Sequence, residues 1–504
     1  MNLHIALTTT LLSTLSPALQ AAPHPNILLI LADDLGYGDV SCYNPESKVP
    51  TPNLDRLAAG GLKFTDAHSP STVCTPSRYS IMTGRMAFRI PYRGVFTGAG
   101  GPCLIEEGRP TLPGILREHG YRTALFGKWH IGLTFYDSDG KPIRKDGLEP
   151  VRRIDYARPI SDGPTKRGFD EFFGTASCPT TDWLYAYIDG DRIPLPPTKL
   201  LDPTSVPKHE WSFDCRQGLI APNFDLEEVD EVFLEKSVAF LERHRREAPD
   251  KPFFLMHSAQ AVHLPSFPAE KYKGTTQAGP HGDFIAQFDS NVGTLMETLD
   301  RLGIAENTLV IVTSDNGPEV GTVLNMRELH GHDGARPWRG LKRDNWEGGH
   351  RVPFIARWPA VSPAGKTCAA TICLTDIFAT AVEITGHKAI QASGEDSASI
   401  LPLLEGGAEP VRDFTIHQTW TLELAIRRGD WKYLDHKGSG GNNYERSPDL
   451  GKLILPDIAP DAPGQLYNLA EDPGETTNLA AKFPEKAAEL KKLLEKAREA
   501  GRSF

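Results

Sequence analysis

Beyond its N-terminus the chain has no run approaching the roughly 18 apolar residues that a membrane-crossing helix needs. Positive charge is also scarce. Lys and Arg number 54 against 65 Asp and Glu, the net charge is −11, and no basic run stands out. That balance disfavours nucleic acid as a partner, so attraction for an anionic substrate must be local to a site. Cysteine is sparse: Cys42, Cys74, Cys103, Cys178, Cys215, Cys368 and Cys373. In an oxidising compartment an odd count leaves one thiol over. Setting Cys74 aside leaves enough for three disulfides, with the pairing open and their formation undecided. Internal repeats are missing as well, which excludes solenoids and propellers.

What is present fits a folded, water-facing protein: 39% hydrophobic and 24% charged residues. A length of 504 residues exceeds one ordinary core and predicts two domains, one of them large. The N-terminus carries an apolar run, Ile5 to Leu15, then Pro17 and Ala21-Ala22, without Lys or Arg ahead of it. Residues 1–22 are read as a secretory signal peptide, so the mature chain is expected to be exported, periplasmic or secreted. No cysteine lies near the cleavage point, which argues against a lipoprotein.

Continuous apolar runs at Asn26–Asp34, Thr123–His130, Pro252–His263 and Thr308–Gly317 predict strands covered on both faces, hence a parallel or mostly parallel sheet. Helical patterns alternate with them, one starting at Pro52 and stopping at Gly60. The expected fold is α/β, a large mixed, mostly parallel sheet sandwiched by helices over residues 23–408. From residue 409 the pattern changes. Phe414–His436 alternates like antiparallel strands, and Ala487, Leu490, Leu493, Leu494 and Ala497 form one apolar helical stripe. Residues 409–504 are therefore assigned to a smaller C-terminal α+β domain. The loop-rich stretch from Phe135 to Asn223 reads as irregular surface of the large one.

Polar residues fall at the C-terminal ends of these strands: Asp33 and Asp34, Lys128 and His130, His263, Asp315 and Asn316. Open α/β sheets bind ligands at that edge. Asp33, Asp34, Asp315 and Asn316 together offer oxygen ligands, which suit Ca²⁺ or Mg²⁺ better than zinc. His257 shares a strand with His263 but reads as packing. Cys74 alone would pass for a buried structural cysteine.

Cys74-Thr75-Pro76-Ser77-Arg78 followed by Thr83-Gly84-Arg85 changes that reading. With Gly120-Tyr121-Arg122-Thr123, Gly127-Lys128-Trp129-His130, Ser314 to Gly317, Arg339 to Lys342 and the block around Leu466 to Ala480, it resembles the sulfatase family of the alkaline-phosphatase superfamily. The resemblance covers nearly the whole mature chain. It implies that Cys74 is oxidised to Cα-formylglycine by a formylglycine-generating or sulfatase-maturating enzyme. The hydrated aldehyde is a geminal diol: one hydroxyl attacks sulfate, and deprotonation of the other expels it. Pro76 suits the first turn of a helix, which would place residue 74 at an end favourable to anions.

The same resemblance implies Ca²⁺, with Mg²⁺ as the alternative, held by Asp33, Asp34, Asp315, Asn316 and modified Cys74. It implies that Arg78 holds the nucleophile and the ligand carboxylates, and that Lys128 and Lys342 stabilise sulfate oxygens. His130 matches the residue that removes the second diol proton, and His263 the acid that protonates the leaving alcohol. Imidazoles suit both tasks because they titrate near neutrality. The expected substrate is a sulfated carbohydrate, with 6-O-sulfated galactose or N-acetylgalactosamine favoured. Trp183, Tyr185, Tyr187 and Trp211 could pack on a sugar or fill the core; His330, His332 and Arg336 could read ring hydroxyls. The neighbourhood of Cys178 and the Glu328–Trp338 loop depart from the family pattern and are expected to shape specificity. Two other readings stay open: a phosphodiesterase or phosphonate monoester hydrolase of the same superfamily, or a non-catalytic sulfated-glycan binding protein.

Overall fold

A computed structural model describes residues 24–386 and 393–503; the expected signal peptide lies outside them. Among the described residues no helix is long and apolar enough to cross a membrane. The main sheet contains β1 (Asn26–Ala32), β2 (Leu62–Phe64), β3 (Arg122–Lys128), β4 (Glu171–Thr175), β5 (Ile188–Asp189), β6 (Phe253–Ser258), β7 (Thr308–Ser314), β8 (Phe354–Arg357) and β9 (Lys366–Cys368). Their spatial order is β9-β2-β8-β7-β1-β6-β3-β4-β5. The centre, β7-β1-β6-β3-β4, is parallel; β8 and β5 run against their neighbours.

The apolar runs are continuous because both faces are covered. Ile27, Leu29 and Leu31 of β1 feed one core, while Leu28, Ile30 and Ala32 feed the other. Helices α1 (Pro52–Ala59), α4 (Val229–Glu247) and α5 (Gly279–Arg301) contribute to the second core through Leu54, Phe240 and Phe288. Helices α2 (Cys74–Thr83), α3 (Leu112–Glu118) and α6 (Asp376–Ile384) contribute to the first through Ile81, Leu112 and Phe378. Register then places the chemistry. Ala32 pairs with Ser314 and Gly127 with Ser258, so the strands end together, and their next residues emerge at one edge. Gly127 has to be glycine, because a Cβ there would sit 1.8 Å from the Ser258 carbonyl oxygen.

The C-terminal part is a four-stranded antiparallel sheet: β10 (Thr415–Gln418), β11 (Leu424–Arg428), β12 (Trp431–Leu434) and β13 (Gln465–Asn468). Helix α7 (Pro484–Glu499) buries Leu490, Leu494 and Ala497 against Ile416, Ile426, Tyr433 and Leu466. This sheet also touches the large one. Thr72 N donates to Gln418 O (3.0 Å) and Gln418 N to Pro70 O (3.2 Å), which braces the segment leading into α2. Deeper, Lys432 pairs with Glu347 (3.0 Å) and Glu475 (2.9 Å), and Arg427 with Asp66 (2.6 Å). The Lys432–Glu347 and Arg427–Asp66 pairs join the C-terminal part to the large one; breaking one would cost about 3–5 kcal/mol by leaving a lone buried charge.

The long insert is more ordered than its sequence indicates. Glu171–Thr175 forms β4 beside β3, a strand too short and too interrupted by glycine to stand out by periodicity. No cysteine is disulfide-bonded: all seven are free thiols.

Candidate active site

Helix α2 begins at Cys74 from an extended Val73 and ends at Gly84, whose left-handed φ of 62° and N–H to Ser80 O close the helix. All ten helical residues are buried. Ser77 of the motif works on the loop before it: its Oγ donates to Ser71 O (2.9 Å) and meets Ser69 Oγ (2.8 Å), and Ser69 in turn donates to Asp315 O (2.5 Å). The loop before α2 and the end of β7 are thereby pinned together.

All ten nominated residues meet in one cluster. Ligand-capable atoms of Asp33, Cys74 and Asp315 lie within 4.8 Å of one another, as do those of Asp33, Asp34 and His263. Arg78 donates Nε to Asp315 Oδ2 (2.8 Å) and its Nη1 to Ser258 Oγ (2.6 Å), with Asp33 at 3.6 Å. Lys128 contacts Asp33, and Lys342 reaches Asp34 (2.7 Å) and Glu319 (3.4 Å). Burial works against both ammonium charges, but Asp33 and Asp34 outweigh it and hold the two lysines protonated. Asn316 gives its Nδ2 to Asp34 Oδ1 (2.6 Å) and Gly317 O (2.8 Å).

Two buried oxygens in this group, Asp33 Oδ1 and Asn316 Oδ1, have no hydrogen-bond partner. Burial and the charge of Asp33 push Asp315 up to about 8. Unpartnered oxygens beside crowded carboxylates are the donor set a hard divalent cation requires. The residues present therefore fit such an ion.

His130 lies against Cys74, and His263 lines the same cavity beside Cys178 and Asp34. His130 Nε2 lies 2.7 Å from Phe96 O, while its Nδ1 has no hydrogen-bond partner and the ring lies against the Cys74 thiol. Burial, reinforced by Lys128, keeps His130 below its ordinary pKa and neutral. His263 uses Nδ1 on Leu264 O, and its Nε2 stands 3.7 Å from both Cys178 Sγ and Asp34 Oδ2. Burial opposes ionisation of Cys74, but the Cys178 thiol, His130 and Lys128 overcome it and hold the Cys74 pKa far below the usual thiol range. Backbone strain concentrates here as well: Asp34, His130 and Arg343 are non-glycine residues at φ of 63°, 59° and 81°.

A cavity of about 550 Å³ opens over Cys74. Larger hollows of about 630 and 850 Å³ lie in the C-terminal part and at its border, but none of these clustered groups lines them. Sequence reasoning did not place Asp182, Glu319, Arg343, Phe213 or Trp420 in the cavity wall. Cys178, expected to belong to specificity, does line the wall. Of the two roles open to the aromatic rings, the structure takes the core: Tyr185 and Tyr187 fill the first core, with Trp183 half-buried against it, and Trp211 fills the second. The three polar residues expected to read ring hydroxyls need correction. His332 is held by Asp39 (2.7 Å), His330 stacks on Trp211, and Arg336 pairs with Glu46 (2.5 Å). None of them, nor the Glu328–Trp338 loop, reaches the cavity. His257 is packed as expected, against Ser237 (2.9 Å).

Strand ends thus bring carboxylates, lysines and imidazoles together at the start of the helix that begins with Cys74, an arrangement suited to an anionic ester. The family described as Sulfatase matches residues 25–387, and the chain belongs to it: it is a hydrolase of sulfate esters. It is 32% identical to an N-acetylgalactosamine-6-O-sulfatase of Bacteroides thetaiotaomicron, over 94% of this chain and 93% of that one. It is 33% identical to arylsulfatase A of Homo sapiens, over 96% and 90%. A solved structure from the glycosaminoglycan-metabolism locus of Bacteroides thetaiotaomicron superposes with a TM-score of 0.81 at 30% identity, covering 95% of this chain and all of that one.

Proposed function

We propose that this sulfatase is exported, carries formylglycine at position 74, and removes sulfate from carbohydrates. The observation that carries the proposal is the convergence of Lys128, His130, His263 and Lys342 on Cys74 at the mouth of α2, beside four oxygen ligands. Cys74 is 2% exposed in the folded chain, so the modifying enzyme reads its motif before α2 packs.

Asp33, Asp34, Asp315 and Asn316 would hold Ca²⁺, or Mg²⁺ in its place; the bound ion would supply positive charge for the sulfate and acidify the nucleophilic hydroxyl. Lys128 and Lys342, protonated and fixed by carboxylates, are placed for charge developing on sulfate oxygens. Arg78 holds Asp315 and Asp33 in place. Because His130 donates Nε2–H to Phe96 O, Nδ1 keeps its lone pair toward residue 74, the arrangement of a base. His263, with Nδ1 on Leu264 O, presents Nε2 into the cavity, where a proton can pass to the leaving alcohol.

The substrate we favour is a 6-O-sulfated galactose or N-acetylgalactosamine unit. Support comes from the 32% identical relative named for that activity and from a cavity much larger than sulfate, with Phe213 and Trp420 exposed at its mouth. A primary sulfate can reach the buried cluster while the ring stays at the mouth. Peptide mass spectrometry across residues 71–85 of active material should find aldehyde in place of thiol; full activity with only the thiol would falsify the modification. Comparing kcat/KM across 6-O-, 4-O-, 3-O- and 2-O-sulfated sugars tests the position. A clear preference for nitrophenyl sulfate over every sugar would end the carbohydrate reading.

A further inference from the structure

Asp182 lines the cavity, yet its residue is only 2% exposed. Its two oxygens are served sparsely. Oδ2 accepts from the Ser177 hydroxyl, and Oδ1 from Trp183 N at 2.6 Å. An ionised carboxylate offers about four lone-pair positions, so two are left over. Among the described residues no Lys or Arg forms an ion pair with Asp182. Arg216, whose charge Asp182 feels, directs donors to Thr181 O, Thr181 Oγ1 (2.8 Å) and Asp214 (3.3 Å). A second carboxylate, Asp146, adds negative charge nearby, and burial with that charge pushes Asp182 up to about 7. A buried carboxylate is stable only when donors surround it, and here the protein stops short.

The location says which part of a ligand would supply them. Ser177 stands between Asp182 and the reaction centre: Gly98 N donates to Ser177 Oγ (3.2 Å), and Cys178, next in the chain, lies against Cys74. Asp182 is thus one side chain outward from the cluster that takes the sulfate. The sulfate's charge is repelled there, and a neutral donor is favoured. Exposed Phe213 and Val95 face the same cavity further out. Resting on the carbohydrate reading above, we infer that Asp182 is a specificity-determining residue whose carboxylate accepts hydrogen bonds from ring hydroxyls of the sugar that carries the sulfate. Asp182 discriminates against substrates without those donors, because binding them would leave the carboxylate buried and unpaired.

The test uses the mature, full-length enzyme. The readout is the ratio of kcat/KM for the best sulfated monosaccharide to kcat/KM for nitrophenyl sulfate, which has no ring hydroxyls. In Asp182→Ala this ratio should fall on the order of 10- to 100-fold, the loss expected for hydrogen bonds to a charged acceptor. Asp182→Asn, which retains one acceptor oxygen, should fall less. Monodeoxy analogues of the sugar, assayed on the unmutated enzyme, give an arm that does not depend on any variant folding. One analogue should lose a similar factor with the wild type and almost nothing further with Asp182→Ala. A parallel fall of both activities in the variants would mean that Asp182 only holds Ser177, and would overturn the inference. So would a deoxy penalty equal in wild type and variant, or no deoxy penalty at all. If the unmutated enzyme cleaves nitrophenyl sulfate and no sulfated sugar, the carbohydrate reading itself has failed, and this inference falls with it.

Discussion

Arg78 Nε lies 2.8 Å from Asp315 Oδ2, with both side chains buried. The pair ties the helix that presents residue 74 to the strand that ends in two of the proposed metal ligands. Asp315 therefore has two tasks, and two substitutions separate them. Asp315→Ala removes a ligand and leaves the buried guanidinium with one carboxylate neighbour, Asp33 at 3.6 Å. It should lose bound calcium and turnover and be destabilised by about 3–5 kcal/mol. Asp315→Asn keeps the shape and an acceptor for Arg78. It should fold nearly as well as wild type while still losing metal and activity. Metal content after dialysis and urea unfolding measure the two effects. Normal turnover by the Asn variant after chelation would remove Asp315 from the site.

The hydrogen bond from His130 Nε2 to Phe96 O sets the tautomer of that ring. If Nδ1 is the base that triggers sulfate release, His130→Ala should slow release more than attack. We expect kcat to fall about 10²- to 10⁴-fold, with a rapid burst of alcohol product before the slow steady state. Stopped-flow assays with nitrophenyl sulfate read this directly. An unchanged kcat, or a loss with no burst, would withdraw the role in release.

His257 offers a stability prediction free of the active site. Burial alone depresses its pKa to about 4, and Ser237 is its partner. The unfolded chain takes up that proton near its ordinary value of 6.5, and the folded chain does not. Stability from this group is therefore complete above pH 6.5 and is lost as pH falls from 6.5 toward 4, by about 1.4 kcal/mol per unit. His257→Gln should keep a bond to Ser237 and remove this slope. Urea unfolding of both proteins at pH 5 and pH 7 decides it; identical pH dependence would show that His257 does not titrate as described.

The catalytic cluster was legible because its residues follow strands that can be read from continuous apolar runs, and parallel register brings strand ends together. Ala32 beside Ser314 is enough to set Asp33 near Asp315. The cavity wall was not legible, because it is built from loops whose contacts have no period. Asp182 and Phe213 lie in the insert, and Arg343 follows Lys342 in a left-handed conformation that its sequence does not announce. The aromatic residues there could not be decided from sequence for a related reason. Trp211 and Tyr185 look the same in sequence whether a ring faces sugar or fills a core, and here they fill the two cores that flank the main sheet.

Trp420 is the contribution that sequence position hid most completely. It follows β10 in the C-terminal part, far along the chain from Cys74, and Gln418, two residues before it, bonds to both Pro70 and Thr72. That bracing delivers the ring to the cavity mouth, 41% exposed, with its Nε1 toward Gly441 O. An exposed indole so near a buried anion site gives a flat face for a sugar ring and no contact with the reacting atoms. Such a contact forms equally in the ground state and the transition state, so its loss raises KM and spares kcat. Trp420→Ala should raise KM for sulfated sugars roughly 3- to 10-fold, the scale of one aromatic contact, while kcat changes little. Trp420→Phe should restore most of the loss. Steady-state kinetics on a sulfated disaccharide and on its monosaccharide give the comparison. A fall in kcat with KM unchanged would instead place Trp420 in holding the Cys74 loop, and the mouth would have to be assigned to Phe213 alone.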